Sequence, residues 1–451
     1  PSSSSSSFTT STTSSSAVLL RDHISRILAD PNEGYFPKRG AEVVGKLHEP
    51  LNFKTMVGKP GYDFKIRELY QREGTSWLTP VEIFQPYYGE AVARYLAEDI
   101  LQARSKAEER GGDRRNRKIH VCEVGAGNGT LAANVLDFML ERHPDIYSEL
   151  RYTVLDVSKG LCERQESLVG LHNRNHESHF QSLVGNACDG KSWEGLLEGG
   201  ERVYVLGLEV LDNLPHDRIE KVDGKWMETW VSYESESHPN GVEELREMRD
   251  DVILSCFDAY DWTAINSEKD EEQKKDGGFL ATLETFITTG STKRTAAVEE
   301  GDSSRVVFLP TTAFSILRNI RESFPEHTLL LIDFDALPDV QIRGRNAPLV
   351  SDTVNALAND FTSYLVPVGS ADIFFPTNFG ALKAMYETEI FGCDQDPQCA
   401  RQVDVSVRSS ADFFKDYADL DITTTLSGYN PLIDDFTNTR VFVASSSHKK
   451  A

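Results

Sequence analysis

The sequence of 451 residues lacks the features that mark several common classes of protein. Its six cysteines form no C-x-x-C pair, and no Cys/His group has the spacing of a zinc site, so no metal site is predicted. No apolar run approaches the ~18 residues that a membrane-spanning helix needs, so no membrane span is predicted. Basic residues are also few, since 47 Lys and Arg stand against 71 Asp and Glu, for a net charge of −24. Such a field opposes binding to a phosphate backbone, so we expect no nucleic-acid partner, and a basic protein partner is favoured.

The cysteines are scattered along the chain, which favours reduced thiols in a protein that is not secreted. Cys393 and Cys399 flank the short segment DQDPQ. A disulfide between these two is left open by their spacing.

Composition divides the chain into four parts. Residues 1–16 are rich in Ser and Thr and fit either a disordered leader or the remnant of an organelle transit peptide. Residues 17–103 carry apolar residues at helical spacing, which predicts an N-terminal helical portion. Residues 104–118 are charged and broken by glycine, as in a linker. Residues 119–451 form the predicted core, with acidic insertions near 232–304 that are expected to be mobile.

Strands and helices alternate in this core. Buried strands are predicted at 119–124, 151–157, 179–187, 202–210 and 328–335. Repeated βα units of this length predict an α/β fold with a Rossmann-like, doubly wound and mostly parallel sheet. Three local features are also predicted: a hairpin turning at Asp223–Gly224, a helix capped by Thr311 or Thr312, and one amphipathic helix over 80–103.

A glycine-rich loop follows the first predicted strand of the core. In EVGAGNGT, Gly125, Gly127 and Gly129 allow the backbone to approach a ligand at the start of a helix, and Asn128 belongs to the same loop. Thr130 stands where the dinucleotide fingerprint needs its third glycine, and no Gly-Lys-Ser/Thr follows, so neither that fingerprint nor the Walker pattern is met.

The acid before this loop narrows the choice of nucleotide. Glu123 would repel a pyrophosphate but would attract a ligand that carries an ammonium or sulfonium group. Asp156 ends the second strand, where a carboxylate can accept both ribose hydroxyls. Asn186 lies at the end of the third strand and Asp189 just after it, where the adenine edge is expected. Each acid alone fits a polar strand end equally well, but their joint order favours S-adenosylmethionine as the cofactor.

The fourth strand leads to a second pair of acids in LGLEVLDNLPHD. Glu209 and Asp212 leave the carboxyl end of that strand, where ligands bind in open parallel sheets. Two carboxylates beside a methyl donor suit a cationic acceptor, because a guanidinium binds carboxylates in bidentate fashion. These two are the predicted catalytic residues. His216 follows in the same segment and is a further acceptor-side candidate, although a lone loop histidine is more often structural.

The order of several segments resembles the MidA family of methyltransferases. VCEVGAGNGTLAANVL is similar to the family pattern LVELGxGxGTLMxDxL, and LGLEVLDNLPHDRIE is similar to xNExxDALPVxxF. GTSWLTPVEIFQPYYGEAVARYL resembles GDFxTxPExSxxFGExxAxW, and GSADIFFPTNFGAL resembles PGxxDITxxVDFxxL. The chain departs from the family where IDYG becomes IDFD and where GD becomes GTSW, so the cofactor side is better supported than the acceptor side.

The resemblance carries expectations for both function and site. It implies a protein-arginine methyltransferase in the mitochondrial matrix, which forms symmetric dimethylarginine on a complex I subunit and supports complex I assembly. It also implies that Pro80, Glu82 and Gly89 belong to a segment that closes over the site. Two alternatives remain open: an assembly chaperone that binds S-adenosylmethionine without turnover, and a small-molecule methyltransferase. The oligomeric state is open as well, a homodimer included.

Overall fold

The computed structural model describes residues 17–73, 78–109, 118–196, 201–234, 237–260, 262, 305–338, 340–354, 357–391 and 401–448. Three predictions lie outside these residues: the leader of residues 1–16, the insertion from 263 to 304, and the Cys393–Cys399 pair. None of the helices in the described ranges combines the length and the hydrophobicity needed to cross a bilayer.

The N-terminal portion is mainly helical. Its elements, in chain order, are β1 (Ala17–Leu19), α1 (Leu20–Ala29), α2 (Tyr35–Val43), a 3-10 helix (Phe53–Thr55), α3 (Gly58–Glu73), α4 (Pro80–Ile83) and α5 (Tyr87–Glu109). The helix predicted over 80–103 is thus two helices. Pro86 explains the break, because it has no N–H group and its ring clashes with a preceding helical turn. Helix α5 also runs to Glu109, into the segment expected to be a linker.

The core begins with alternating strands and helices, as predicted. Its first half consists of β2 (Ile119–Val124), α6 (Thr130–Arg142), α7 (Pro144–Tyr147), β3 (Leu150–Asp156), α8 (Lys159–His172), a 3-10 helix (Arg174–Ser178), β4 (Phe180–Val184), a 3-10 helix (Gly190–Trp193) and β5 (Arg202–Leu208). These bounds agree closely with the strand and helix periods of the sequence.

The second half of the core is less regular. It consists of β6 (Asp217–Val222), β7 (Lys225–Ser232), β8 (Val242–Glu247), α9 (Asp251–Ala259), β9 (Val306–Leu309), α10 (Thr311–Ser323), β10 (His327–Phe334), β11 (Leu349–Val354), β12 (Leu357–Phe361), β13 (Asp372–Phe374), α11 (Phe379–Phe391), β14 (Arg401–Ser409), α12 (Ser410–Tyr417), α13 (Leu420–Thr423), α14 (Pro431–Asp434) and β15 (Thr439–His448). Strand β8 and helix α9 lie within the stretch expected to be mobile, and α9 is held by burial of Ile253, Cys256 and Ala259.

Among the described residues, the main sheet has seven strands in the order β14-β15-β10-β5-β2-β3-β4. The five strands from β10 to β4 are parallel, whereas β15 is antiparallel to both of its neighbours. The fold is therefore α/β with a mixed sheet. Two smaller antiparallel sheets flank it: β1, β6, β7, β8 and β9 form one, and β11, β12 and β13 form the other.

Both faces of the main sheet are buried, as expected for parallel strands. On β10, Leu330 packs into one hydrophobic cluster and Leu331 into another. The first cluster includes residues of α5, α6 and α12, and the second includes residues of α9, α10 and α11. Helices on both faces leave the carboxyl ends of the parallel strands as the open edge, and the candidate site lies at that edge.

Two local predictions have different outcomes. The hairpin turns at Asp223 and Gly224 as predicted, with φ of 48° and 81°, which suits the tight turn between β6 and β7. The predicted cap of α10 is wrong, because Pro310 is the residue before the helix and Thr311 is its first residue. The Thr311 hydroxyl donates instead to Asp217 Oδ2 at 2.6 Å.

Candidate functional site

The glycine loop connects β2 to the first turn of α6. Gly125 has φ of 69° and Gly129 has φ of 85°, which is the left-handed region where side chains are strained. A Cβ atom at Gly125 would lie 2.8 Å from Val210 Cγ2, so the close approach of the two loops also requires glycine there. The loop geometry therefore matches the anion- and nucleotide-binding turn that the sequence predicts.

A cavity of about 480 Å³ adjoins this loop at the carboxyl ends of the parallel strands. Such a volume is typical of small-molecule and cofactor sites. One wall consists of the glycine loop and the strand ends. The opposite wall comes from the N-terminal portion, through Arg21, Asp22 and Ser25 of α1 together with Phe36, Val44 and Glu82.

Glu123 and Asp156 line the cavity beside the glycine loop. Glu123 Oε2 accepts a hydrogen bond of 2.6 Å from the Tyr152 hydroxyl, and burial, with Asp156 nearby, raises the pKa of Glu123 to about 7. Asp156 accepts from the Ser158 amide at 2.9 Å and from Gln165 Nε2 at 3.0 Å. Burial raises the pKa of Asp156 as well. These bonds fix both carboxyls and leave lone pairs that can accept hydroxyl or ammonium donors.

The segment after β4 contributes one of its two predicted residues to the cavity wall. Asn186 lines the cavity, but its Oδ1 is engaged by the Cys188 amide at 3.0 Å. Asp189 lies outside the cavity wall and is exposed. Its carboxylate caps the 3-10 helix that follows, by accepting from the Lys191 amide at 3.0 Å. The cavity wall continues through Ala187 and Cys188, which the sequence analysis did not single out.

Asn128 lines the cavity, but its side-chain amide forms hydrogen bonds with neighbouring protein groups. Its Nδ2 donates to the Gly45 carbonyl at 2.9 Å and to Glu82 Oε1 at 3.1 Å, while its Oδ1 accepts from Arg164 at 2.7 Å. Asn128 therefore holds the glycine loop against the N-terminal portion.

Glu82 is the main contact from the N-terminal portion to the loop. Besides Asn128, its carboxylate accepts from the Thr130 hydroxyl at 2.5 Å and from the Leu47 amide at 3.3 Å. Burial raises the pKa of Glu82, and these donors oppose that effect. Glu82 also lines the cavity, so it joins the covering segment to the cofactor loop.

The other two residues predicted for the closing segment lie outside the cavity wall. Pro80 is the first residue of α4, and the Thr79 hydroxyl caps that helix by accepting from the Glu82 amide at 3.4 Å. Gly89 lies where α5 meets α6, and a Cβ there would be 2.5 Å from Asn134 Cβ. Gly89 thus allows two helices to approach closely, and its role here is packing.

Glu209 and Asp212 line the cavity on the turn that follows β5, and this part of the wall is called its acceptor end. Glu209 follows β5 directly with φ of 52°, a left-handed conformation that is rare for a glutamate and is found at functional sites. Asp212 is buried and Glu209 is partly buried. Within the described residues, the buried oxygens Glu209 Oε1 and Asp212 Oδ1 have no hydrogen-bond partner. Burial and neighbouring acids raise the pKa of each well above its usual value.

Two further acids, Asp333 and Asp372, complete this end, and sequence reasoning missed both. Asp333 accepts from the amides of Leu211 and Asp212 at 2.7 and 3.2 Å. Asp372 lines the cavity and accepts from Asn213 Nδ2 at 2.8 Å. Burial raises the pKa of each to about 7. The available signal was an acid inside an otherwise apolar strand, as in TLLLIDF.

His216 lies behind this end and outside the cavity wall. Its ring stacks on Phe375 with centroids 4.0 Å apart, and its Nδ1 lies 2.8 Å from the Leu214 carbonyl oxygen. Burial lowers the pKa of His216 to about 4, so the ring is neutral near pH 7. These contacts favour the structural interpretation of this histidine.

No group of three or more His, Cys, Asp or Glu side chains in the described ranges is arranged to hold a metal ion. The glycine turn, two fixed carboxyls at the ends of β2 and β3, and a cavity of cofactor size instead fit a nucleoside carrying a cationic group. This fold and site define the class of S-adenosylmethionine-dependent methyltransferases.

Comparison with known proteins agrees with this class. Residues 92–394 match the model of a family described as putative S-adenosyl-L-methionine-dependent methyltransferases, and the chain belongs to that family. It is therefore a methyltransferase whose cofactor is S-adenosylmethionine.

Two curated relatives and one solved structure are similar to the chain. The protein arginine methyltransferase NDUFAF7 homolog, mitochondrial, of Schizosaccharomyces pombe is 22% identical over 77% of this chain and 68% of its own length. The protein of the same name from Drosophila melanogaster is 27% identical over 38% of this chain and 37% of its own length. A COG1565 superfamily member from Burkholderia thailandensis, bound to S-adenosyl-homocysteine, has a TM-score of 0.57 at 16% identity, covering 97% of this chain and 89% of that one. This last likeness shows the fold alone.

Proposed function

We propose that the chain transfers a methyl group from S-adenosylmethionine to a guanidinium nitrogen of an arginine in another protein. The observation that carries this proposal is a pair of buried carboxyl oxygens in the cavity, Glu209 Oε1 and Asp212 Oδ1, which have no hydrogen-bond partner in the part of the chain that the structure describes. Buried carboxyls without partners are costly, and a bidentate cation satisfies both at once. The relatives named as protein arginine methyltransferases support the same acceptor.

The side chains divide the work between the two ends of the cavity. When bound, the cofactor supplies an activated methyl group on its sulfonium, so the protein has mainly to position the acceptor. Asp156 accepts the ribose hydroxyls, and Glu123 attracts the positive charge of the cofactor. Glu209 and Asp212 hold the guanidinium by charge-assisted hydrogen bonds, with one nitrogen facing the methyl group. Their raised pKa makes either carboxylate basic enough to take the proton that this nitrogen loses.

We propose further that the acceptor arginine belongs to a complex I subunit, that the product is symmetric dimethylarginine, and that the reaction supports complex I assembly in the mitochondrial matrix. The resemblance to the MidA family supports these points. The relatives named as mitochondrial support the compartment.

The proposal predicts that Glu209→Gln abolishes transfer while cofactor binding remains. The purified full chain is incubated with methyl-labelled S-adenosylmethionine and complex I subunits, and hydrolysis identifies the labelled amino acid. Because glutamine cannot pair with a cation or accept its proton, we expect transfer to fall at least a hundredfold. S-adenosylhomocysteine should still raise the melting temperature of the variant.

Glu194→Gln is the matched control, since Glu194 is exposed and lies outside the cavity wall. It should transfer methyl groups as the wild type does. Cofactor binding without transfer to any subunit would favour the chaperone alternative. Transfer to small amines but not to proteins would favour the small-molecule alternative.

A further inference from the structure

The acceptor end of the cavity contains a carboxyl that never reaches the cavity surface. Asp333 is fully buried at the end of β10, directly beside the turn that follows β5. The two strands are parallel neighbours with Ile332 opposite Leu208, and the Glu209 amide donates to the Ile332 carbonyl at 2.8 Å. Asp333 therefore lies under the segment that carries Glu209 and Asp212.

Asp333 holds that segment by its backbone. Its Oδ2 accepts from the Leu211 amide at 2.7 Å and from the Asp212 amide at 3.2 Å. Its Oδ1 accepts from the Phe334 amide at 2.7 Å. Three N–H donors favour the ionised carboxylate, whereas Glu209 and Asp212 each keep an unpartnered oxygen. Of these three acids, Asp333 is therefore the one that the protein itself equips to carry a charge.

The nearest arginine along the sheet register is committed to another acid: Arg440 of β15 lies opposite Asp333, and its guanidinium pairs with Asp335 at 2.8 Å. The side chains of Glu209, Asp212 and Tyr88 interact with Asp333 by charge. Two further acids, Asp372 and Glu82, interact in turn with Asp212 and Glu209. Within the described residues, none of the four acids at the acceptor end forms an ion pair with Arg or Lys. Several negative charges cannot coexist in such a space, so the cavity carboxyls retain protons until a cation arrives.

We propose that Asp333 is a positioning residue, whose carboxylate fixes the turn that carries Glu209 and Asp212 and whose charge couples the arrival of a cationic acceptor to the release of protons from those two side chains. This inference rests on the proposed function, because it takes a guanidinium as the acceptor. Acceptor affinity should therefore rise with pH. The pH at which it rises should be set by Asp333, which the acceptor does not contact.

The test measures binding of N-acetyl-L-arginine amide to the full chain saturated with S-adenosylhomocysteine, between pH 5.5 and 8.5. For the wild type we expect affinity to increase with pH and protons to be released to the buffer. Asp333→Asn removes the charge and one amide acceptor, so the increase should move to lower pH. Affinity at pH 8.5 should fall about tenfold, the usual effect of losing one buried hydrogen bond.

Asp333→Glu separates the charge from the geometry. It keeps the carboxylate but displaces the turn, so affinity should fall while the pH at which it rises stays that of the wild type. If Asp333→Asn loses S-adenosylhomocysteine binding, and so has not folded, Asp333→Glu alone still tests the inference.

Two results would overturn the inference alone: equal weakening of Asp333→Asn at every pH, which a merely structural role predicts, or wild-type affinity in Asp333→Glu. A wild-type protein that binds S-adenosylhomocysteine but not the arginine probe at any pH would instead overturn the proposed function.

Discussion

At the scale of single residues, the site depends on carboxyls whose neighbours give them different tasks. Asp156 and Asp333 are held by backbone amides and act as fixed acceptors. Glu209 and Asp212 keep oxygens without partners and so remain available to a ligand. The same functional group is thus either structural or reactive according to the number of N–H donors around it.

Asp372 permits a prediction about stability and pH. Its folded pKa is about 7, above the usual value of 3.8, so the folded state binds a proton more tightly than the unfolded state does. Its contribution to stability is therefore full below about pH 4 and is lost as pH rises through about 7. Asp372→Asn keeps an oxygen for the Asn213 and Ile373 donors. We expect the free energy of unfolding of the variant to exceed that of the wild type by about 2–4 kcal/mol at pH 8 and by almost nothing at pH 4.

Urea unfolding at the two pH values measures this difference. An equal effect at both would mean that Asp372 is not protonated in the folded protein. The prediction also has a functional side, because stability gained by removing a buried charge at a ligand site is commonly accompanied by weaker ligand binding.

Several site residues could be predicted because the end of a buried strand can be recognised in a sequence as the end of an apolar run. Glu123, Asp156, Glu209 and Asp212 each end or follow an apolar run, and all four line the cavity. Asp333 also follows an apolar run, but its role as a backbone anchor could not be predicted, because that role depends on pairing between β10 and β5, which is a tertiary property.

The predicted site residues Asp189, Pro80 and Gly89 lie outside the cavity wall, and each has a local structural contact instead. Asp189 was assigned to the adenine edge, but an acid one position before a helix is satisfied locally as its cap. Pro80 and Gly89 stand close in sequence to Glu82, which does reach the cavity. Their backbone geometry serves α4 and the contact between α5 and α6 instead.

At the scale of elements, the covering helices are placed by close packing against the core. Helix α5 meets α6 at Gly89, where no side chain separates it from Asn134. This contact fixes the N-terminal portion beside the glycine loop, because α6 begins at the end of that loop. The arrangement of one helix pair thereby sets the distance between the cavity wall and the cofactor turn.

Gly89→Ala should therefore destabilise the protein. The added methyl group would lie 2.5 Å from Asn134 Cβ, and overpacking of this kind outweighs the better helix propensity of alanine. We expect a loss of about 2 kcal/mol in the free energy of unfolding. Gly170→Ala is the matched control, because its nearest neighbour would be 3.9 Å away. A stable Gly89→Ala with impaired cofactor binding would return Gly89 to the role of a lid residue.

Element boundaries were predictable where the period was strong, as in the βα units from β2 to β5. The strands β8, β11 and β12 were missed because small antiparallel sheets are specified by partners distant in sequence. Pro86 signals the break before α5. The apolar residues around it nevertheless recur at helical spacing, and for that reason a single helix is predicted over 80–103.

At the scale of the whole molecule, the first described helix is joined to distant parts of the core. Arg21 donates to Asp217 Oδ2 at 2.7 Å and to Asp250 Oδ2 at 2.8 Å, and so links α1 to β6 and to the cap of α9. Asp217 is completely buried. Because α1 also forms part of the cavity wall, this ion pair contributes to both stability and site shape.

Arg21→Met should consequently lower the free energy of unfolding by about 3 kcal/mol, since it leaves the Asp217 carboxylate buried without its cation. Chemical denaturation measures the loss. Arg249→Met removes an exposed arginine paired with Glu247 and should leave the unfolding midpoint unchanged. Equal effects of the two substitutions would show that burial of Asp217 does not control the energy of its ion pair.

The order of strands in the main sheet bears on how the protein is made. Strand β15 begins at Thr439, yet it lies between β10, which ends at Phe334, and β14. A ribosome adds residues one by one, so β10 is synthesised roughly ten seconds before its neighbour β15. During that interval a strand whose eight residues are all buried in the folded protein has one edge without a hydrogen-bonding partner. We therefore expect the nascent chain to need a chaperone until translation has passed the last strand, and to aggregate if released earlier.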